Sequence, residues 1–229
     1  MKLDFLSAAF SAAALIPFVG DAAAGIKKYD SFIKAADEIP SGAALRSAMK
    51  DVSTPTSAKM DLLRKVSPRA VDRLKGADIP DSAIVRLATR AVSAKHFDDM
   101  VSAASDIRKA PSTFRLERDA EKFLRDQTPG ALPSQIVSSV DGGNTKRLYY
   151  VFVRSTGAAD EIKHGRASGV GRAAIQASKD ARILANPEER GVLKITWQFF
   201  TSANNTIGPD QRLLELLAEY NLPFVLWVA

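Results

Sequence analysis

Apolar and polar residues follow two different periods between residues 146 and 201, and these patterns predict a hairpin, a helix and a strand. The first segment, Lys146–Arg154, is rich in β-branched and aromatic residues and ends at Ser155–Gly157, whose small residues favour a turn. The strand after the turn carries Glu161 and Lys163. Because side chains alternate across a strand, these two side chains are predicted to point to the same face of a sheet.

The segment after the hairpin predicts a helix and a buried strand. Val170–Leu184 has apolar residues at helical spacing, and Gln176 and Asp180 lie one turn apart on its polar side. Gly191–Thr201 contains a continuous apolar and aromatic run, which is typical of a buried strand. We therefore expect Gln176 and Asp180 to lie on a helix that connects two strands.

Flanking segments extend the pattern toward both ends of the chain. Residues 22–110 are rich in alanine and interrupted by Pro, Ser and Gly, which predicts short amphipathic helices. Ala110–Ser112 is the expected boundary between a helical region at residues 1–110 and an α/β domain at residues 112–229. The further elements predicted for this domain are a helix at Thr113–Asp126 that carries Glu117 and Glu121, a strand at Gln135–Val140, a helix at Asp210–Tyr220 and a strand at Leu222–Val228.

Composition removes several classes of active site. Of the 229 residues, 46% are hydrophobic and 25% are charged, as in an ordinary globular protein. Cysteine is absent, which excludes disulfide scaffolds, thiol catalysis and cysteine-based zinc sites. His96 and His164 are the only histidines and are far apart in sequence, which argues against a two-histidine ribonuclease mechanism.

Positive charge is concentrated around the hairpin and the helix. The net charge is +6 and the pI is about 9.5, which permits an anionic partner. Gly142–Arg182 contains eight Lys or Arg residues and three acidic residues, the excess that a phosphate-binding surface needs. A solvated basic face is the alternative. The basic residues expected to contact nucleic acid are Arg147, His164, Arg166, Arg172 and Lys179.

A strand pair bearing Glu161-x-Lys163, then a helix, then a strand resembles the restriction-endonuclease-like nucleases of the PD-(D/E)xK superfamily. Within it, the chain is similar to the toxin domains at the C-termini of bacterial polymorphic and contact-dependent growth inhibition toxins, through the run EIKHGR…QxxxD…WQFF…GP…L. The resemblance covers residues 112–229. It implies an α+β chain whose α/β domain has a mixed central sheet flanked by helices. Upstream, Leu15–Ala22 resembles the element that precedes toxin domains in such proteins, which implies a pretoxin-like helical region.

The resemblance also implies a function and partners. The chain is expected to be an interbacterial toxin module, a metal-dependent endonuclease that hydrolyses DNA or tRNA and is neutralised by a cognate immunity protein. A larger secreted delivery protein, of which this chain would be the C-terminal part, would carry it from the producing bacterium into the cytoplasm of the target cell.

Phosphodiester hydrolysis explains why these residue types would be needed. Glu161 is the candidate ligand of Mg²⁺ or Mn²⁺, which lowers the pKa of its bound water and neutralises phosphoryl charge. Lys163 would orient or deprotonate the water, or stabilise the transition state. Gln176 and Asp180 could reach the same region and are the further catalytic candidates. The alternative is an exposed Glu-Lys ion pair of little energetic value.

The sequence departs from the superfamily pattern upstream of Glu161. An acidic residue is expected near Tyr150 to complete the metal site, and no carboxylate is there. Asp141 could substitute as a metal ligand, or it could be a turn residue ahead of a glycine pair. Glu117 and Glu121 are weaker candidates, with surface ion pairing as the alternative. A catalytically degenerate nucleic-acid-binding domain therefore remains open.

The N-terminal apolar segment raises a further alternative, a membrane-active effector. Residues 1–25 superficially resemble a secretory signal, but Asp4 lies in the leader, and Pro17 and Gly20 interrupt the apolar stretch. The run is also too short to span a bilayer, so we expect no stable membrane insertion.

Overall fold

The computed structural model describes residues 49–229 except 53, 92, 133 and 139–145. Its first part contains four consecutive helices, α1 (Thr56–Val66), α2 (Pro68–Gly76), α3 (Asp81–Arg90) and α4 (Ala94–Ala103). Proline in the first turn suits the start of α2, and the Ser93 hydroxyl accepts the His96 backbone N–H at the start of α4. These helices lie within the range predicted to be helical. Residues 1–48 lie outside the described residues.

A six-stranded mixed sheet forms the centre of the remaining chain. In spatial order its strands are β1 (Asp106–Lys109), β10 (Phe224–Val228), β8 (Lys194–Phe200), β6 (Ala158–His164), β5 (Val151–Val153) and β2 (Ala131–Leu132). The first four of these run parallel, and β5 is antiparallel to both β6 and β2. A mixed central sheet flanked by helices, as predicted, is confirmed.

Helices cover both faces of this sheet. On one face, α5 (Glu117–Gln127) buries Ala120 and Leu124 in an apolar cluster with Ile162, Phe200 and Trp227 of the strands. On the other face, α6 (Arg172–Leu184) lies over Trp197 and contacts α8 (Gln211–Glu219). The short helix α7 (Pro187–Arg190) leads from α6 into β8. The apolar residues of alternate strand positions therefore serve two separate cores.

One strand contradicts the prediction that the chain is helical up to residue 110. β1 pairs in parallel with β10 and forms one edge of the central sheet. Ile107 is buried between the polar residues Asp106 and Arg108, a single apolar position that gives the sequence too little periodicity to indicate a strand.

The predicted strand Lys146–Arg154 is also divided in two. Its first half is β4 (Lys146–Tyr149), which pairs with β3 (Gln135–Ser138) in a separate two-stranded sheet, and its second half is β5. Tyr149 donates a hydrogen bond to Asp180 on the α6 side, whereas Val151 belongs to the apolar cluster under α5. Residues two apart share a face in a regular strand, so the backbone must turn at Tyr150.

The two remaining strands form a small sheet of their own. This second two-stranded sheet joins β7 (Arg166–Ala167) to β9 (Gly208–Pro209).

In the part of the chain that the structure describes, no helix combines the length and apolar character that a membrane crossing requires.

Candidate active site

A cleft opens beside β6 where its antiparallel neighbour ends. Pairing between β5 and β6 stops at Val151 and Asp160, and β4 turns away to pair with β3. The cleft has a volume of about 410 Å³ and lies between α5, β4, β6 and α6. Its lining includes acidic, basic and apolar side chains: Glu117, Glu121, Lys146, Arg147, Leu148, Tyr150, Glu161, Arg172, Ile175, Gln176 and Lys179.

Glu161 and Lys163 share one face of β6, as the sequence predicts. The Lys163 ammonium forms an ion pair with Glu161 Oε1, and it lies 5.7 Å from the centre of the Trp197 ring. Their side chains are only 6% and 13% exposed, which excludes the alternative of an exposed surface pair. The neighbouring Asp160 points to the opposite face, where it accepts a 2.7 Å hydrogen bond from Gln198.

Arg147 is the second cation that contacts Glu161. Its Nη2 lies 2.7 Å from Glu161 Oε2, and its Nε lies 2.6 Å from Asp180 Oδ1. All three side chains are buried. Burial acts to lower the pKa of Arg147, but Glu161 and Asp180 outweigh burial and hold this pKa above its ordinary value. Arg147 therefore stays charged between the two carboxylates.

Asp180 is fully enclosed by hydrogen-bond donors. Besides Arg147, it accepts a 2.7 Å bond from the Tyr149 hydroxyl and a 3.0 Å bond from Trp197 Nε1. Burial first, and then the Asp180 charge, raise the pKa of Tyr149, so its hydroxyl keeps the proton that it donates. Asp180 thus fixes Arg147 and is not accessible to a ligand in the cleft.

Two carboxylates of α5 enter the same cleft as Glu161. Both Glu117 and Glu121 line it, so these weaker sequence candidates approach Glu161 from the opposite helix layer. Burial raises the pKa of Glu121, and the charges of Glu117 and Glu161 raise it further. Tyr150 lines the cleft without supplying a carboxylate, and Asp141 lies outside the described residues.

Gln176 contributes a buried amide oxygen. Among the residues that the structure describes, its Oε1 has no hydrogen-bond partner, and its side chain lines the cleft with Glu121 and Glu161. A buried acceptor left in this state costs about 1–3 kcal/mol. Within the described ranges, no group of three or more His, Cys, Asp or Glu side chains is arranged to hold a metal ion. The carboxylate and amide oxygens that line the cleft come from Glu117, Glu121, Glu161 and Gln176.

The predicted basic residues divide into three groups. Arg172 and Lys179 line the cleft, and Arg147 also lines it but is buried in its ion pairs with Glu161 and Asp180. His164 donates a 2.6 Å hydrogen bond from Nε2 to the Phe114 carbonyl, and Arg166 donates to the Arg90 carbonyl; neither is among the residues that line the cleft.

Sequence analysis missed three residues of this site. Lys146 lines the cleft, and Tyr149 and Trp197 hold Asp180. Alternation along β4 would have placed Tyr149 on the same face as Arg147, and the Arg147 guanidinium indeed lies 4.7 Å from the centre of the Tyr149 ring. Trp197 lies in the run that the sequence predicts to be a buried strand, and that pattern does not indicate a partner for its indole N–H.

Comparison with known proteins gives no relative: no family model matches the chain, and no curated protein or solved structure matches it significantly.

Proposed function

We propose that the chain is a metal-dependent endonuclease that hydrolyses phosphodiester bonds of DNA or tRNA. The observation that supports this proposal is the buried pair of Glu161 and Lys163 beside a cleft that Lys146, Arg172 and Lys179 line with positive charge. A carboxylate and an ammonium held out of water next to a cationic cleft suit an anionic substrate that must be hydrolysed rather than only bound.

The side chains in and beside the cleft would have different roles according to their positions. Lys146, Arg172 and Lys179 attract the phosphate backbone electrostatically. Lys163 is not among the residues that line the cleft, but it contacts Glu161 and is the more accessible member of the buried pair. It would orient the attacking water or stabilise charge on the phosphoryl oxygens. Arg147, fixed by Asp180, holds Glu161 in place.

The oxygen donors of the cleft fit Mg²⁺ or Mn²⁺. Mg²⁺ is commonly bound by one or two carboxylates together with water and substrate phosphates. Glu161, Glu121 and Gln176 Oε1 would hold it. Two features favour a cation there: the Gln176 oxygen has no partner within the described part of the chain, and like charges help to raise the pKa of Glu121. When bound, such an ion lowers the pKa of a water and neutralises phosphoryl charge.

The order of elements supports the finer assignments that belong to the same proposal. The antiparallel pair β5 and β6, the helix α6 and the parallel strand β8 follow one another as in restriction-endonuclease-like folds. We propose on this basis that the chain is a toxin module, delivered by a larger secreted protein into a target bacterium and blocked by a cognate immunity protein.

A degenerate nucleic-acid-binding domain is the second candidate. The observation that favours it is that both oxygens of Glu161 already contact cations, Arg147 and Lys163. Such a domain would retain the basic cleft and bind nucleic acid without cleaving it.

The first experiment incubates the purified chain with plasmid DNA and with total tRNA, in Mg²⁺, in Mn²⁺ or in EDTA. We expect cleavage of at least one substrate in the presence of metal and none in EDTA. Lys163→Ala should lose about 100-fold or more of the rate. Lys109→Ala, an exposed lysine of the edge strand β1, is the matched control and should keep it. Binding without cleavage in either metal would favour the degenerate domain.

A further inference from the structure

Two exposed apolar side chains line the cleft, and two others adjoin lining residues in sequence. Tyr150 is 39% exposed and Ile175 is 57% exposed, and both line the cleft. Leu116 and Val170, also exposed, each precede a cleft residue, Glu117 or Gly171. Isolated exposed apolar residues need no explanation, but an aromatic and an aliphatic side chain in one charged cleft suggest a ligand.

The Glu161 carboxylate is recessed in the cleft, which limits the kinds of ligand that can reach it. Glu161 is buried, so a phosphate that approaches it must enter the cleft. A volume of about 410 Å³ is in the range of pockets that take one small-molecule ligand. A continuous base-paired helix presents its phosphates on a wide, stiff cylinder, whereas an unpaired strand can insert a single nucleotide.

Four cations, three carboxylates and one exposed aromatic ring line this volume. Arg147 is buried in its ion pairs, which leaves Lys146, Arg172 and Lys179 as the cations that share the cleft with Tyr150. Proteins that bind single strands combine a positive groove for the backbone with aromatic rings on which bases stack. The centres of protein-protein interfaces are instead depleted in charged residues, lysine in particular. The mixture therefore favours a nucleotide over a protein surface as the occupant.

We infer, resting on the proposed nuclease function, that the cleft takes an unpaired nucleotide and that the substrate is single-stranded or locally unpaired nucleic acid. The base lies against Tyr150 and Ile175, and the adjoining phosphates lie near Lys146, Arg172 and Lys179. Tyr150, which stands where an acidic residue was expected, is then the residue that selects unpaired strands.

A binding experiment in EDTA tests this inference apart from catalysis. Fluorescence anisotropy compares a labelled single-stranded oligonucleotide with the same oligonucleotide annealed to its complement, at one fixed salt concentration. We expect the wild type to bind the single strand about tenfold more tightly or better, Tyr150→Phe to retain this preference and Tyr150→Ala to lose it.

Three further variants separate stacking from charge and from general surface effects. Lys179→Ala should weaken binding of both oligonucleotides and reduce its salt dependence. Ile175→Ala should weaken only single-strand binding, while Leu193→Ala, which alters a side chain that is also 57% exposed but is not among the cleft residues, should change neither. Equal affinity for single strand and duplex, or an unchanged preference in Tyr150→Ala, would overturn the inference.

Cleavage assays in Mg²⁺ distinguish the failure of the inference from the failure of the proposed function. Cleavage of an intact duplex and of a single strand at equal rates, both insensitive to Tyr150→Ala, would retain the nuclease and reject the unpaired-strand site. Tyr150-dependent binding of single strands without any cleavage would reject the nuclease and retain the nucleotide site.

Discussion

Arg147 and Asp180 form a two-point ion pair inside the protein, with Nε to Oδ1 at 2.6 Å and Nη2 to Oδ2 at 3.1 Å. The same guanidinium contacts Glu161, so Arg147 of β4 links Asp180 of α6 to the candidate catalytic carboxylate. Asp180 receives bonds from three side chains and leaves none of its surface exposed. Asp180 thus holds Arg147, which lines the cleft, without lining the cleft itself.

Removal of Asp180 should destabilise the protein strongly. Asp180→Ala leaves the buried Arg147 without its main partner and Trp197 without an acceptor, so we expect a loss of about 3–5 kcal/mol in the free energy of unfolding. Urea denaturation measures this loss. Asp126→Ala is the control, because Asp126 pairs with Lys122 at the surface and should cost less than about 1 kcal/mol. Equal losses in the two variants would contradict the structural role of Asp180.

The Glu121 carboxyl group should make the free energy of unfolding decrease as the pH rises. Its pKa is raised above the ordinary value of 4.5 in the folded chain, by burial and then by Glu117 and Glu161. In the range just above 4.5 the folded state therefore binds more protons than the unfolded state, and stability decreases as pH rises through it. Glu121→Gln should be more stable than wild type at neutral pH, without metal, and should lose this advantage toward pH 4. Urea denaturation from pH 4 to pH 8 measures the difference; a pH-independent difference would contradict the account.

The Gln176 side chain is expected to lower the stability of the metal-free protein and to contribute to metal binding. Gln176→Met has a similar volume and removes a buried oxygen that has no partner among the described residues, so we expect a gain of about 1 kcal/mol in the free energy of unfolding in the absence of metal. The same variant should bind Mg²⁺ more weakly. Thermal unfolding with and without Mg²⁺ measures both effects together. A variant that is less stable and binds Mg²⁺ as wild type does would show that Gln176 only fills space.

Mg²⁺ should stabilise the folded chain at neutral pH. A ligand that binds only the folded state adds about 2.7 kcal/mol at 100 times its dissociation constant, which appears as a higher unfolding temperature. Glu161→Gln should abolish this shift and Glu121→Gln should reduce it. Glu219→Gln, on the exposed side of α8, controls for the loss of one negative charge and should keep the shift. A shift that survives in Glu161→Gln would place the ion elsewhere.

Local patterns predicted the elements of the site better than their assembly. The helix carrying Gln176 was expected at Val170–Leu184 and is Arg172–Leu184, and Glu161 and Lys163 share a face as strand alternation requires. Both predictions depend on neighbours in sequence, for which side-chain periodicity is direct evidence.

The contacts that assemble the site depend on residues far apart in sequence. The strand breaks at Tyr150 because its first half, β4, pairs in one sheet and its second half, β5, pairs in another. The apolar pattern is uniform across both halves and does not reveal this change of sheet. Arg147 was expected to contact nucleic acid because a basic residue usually faces solvent; its burial requires Asp180 and Glu161, which only the folded chain brings to it.

The most direct test of the cleft as the active site compares two neighbouring carboxylates on opposite faces of β6. Glu161→Gln and Asp160→Asn each replace a carboxylate by an amide of the same shape, and circular dichroism confirms that both variants fold. The account predicts that Glu161→Gln lowers metal-dependent cleavage about 100-fold or more, while Asp160→Asn retains it. Cleavage that is unchanged in Glu161→Gln, or lost equally in both variants, would contradict the assignment of this cleft as the active site.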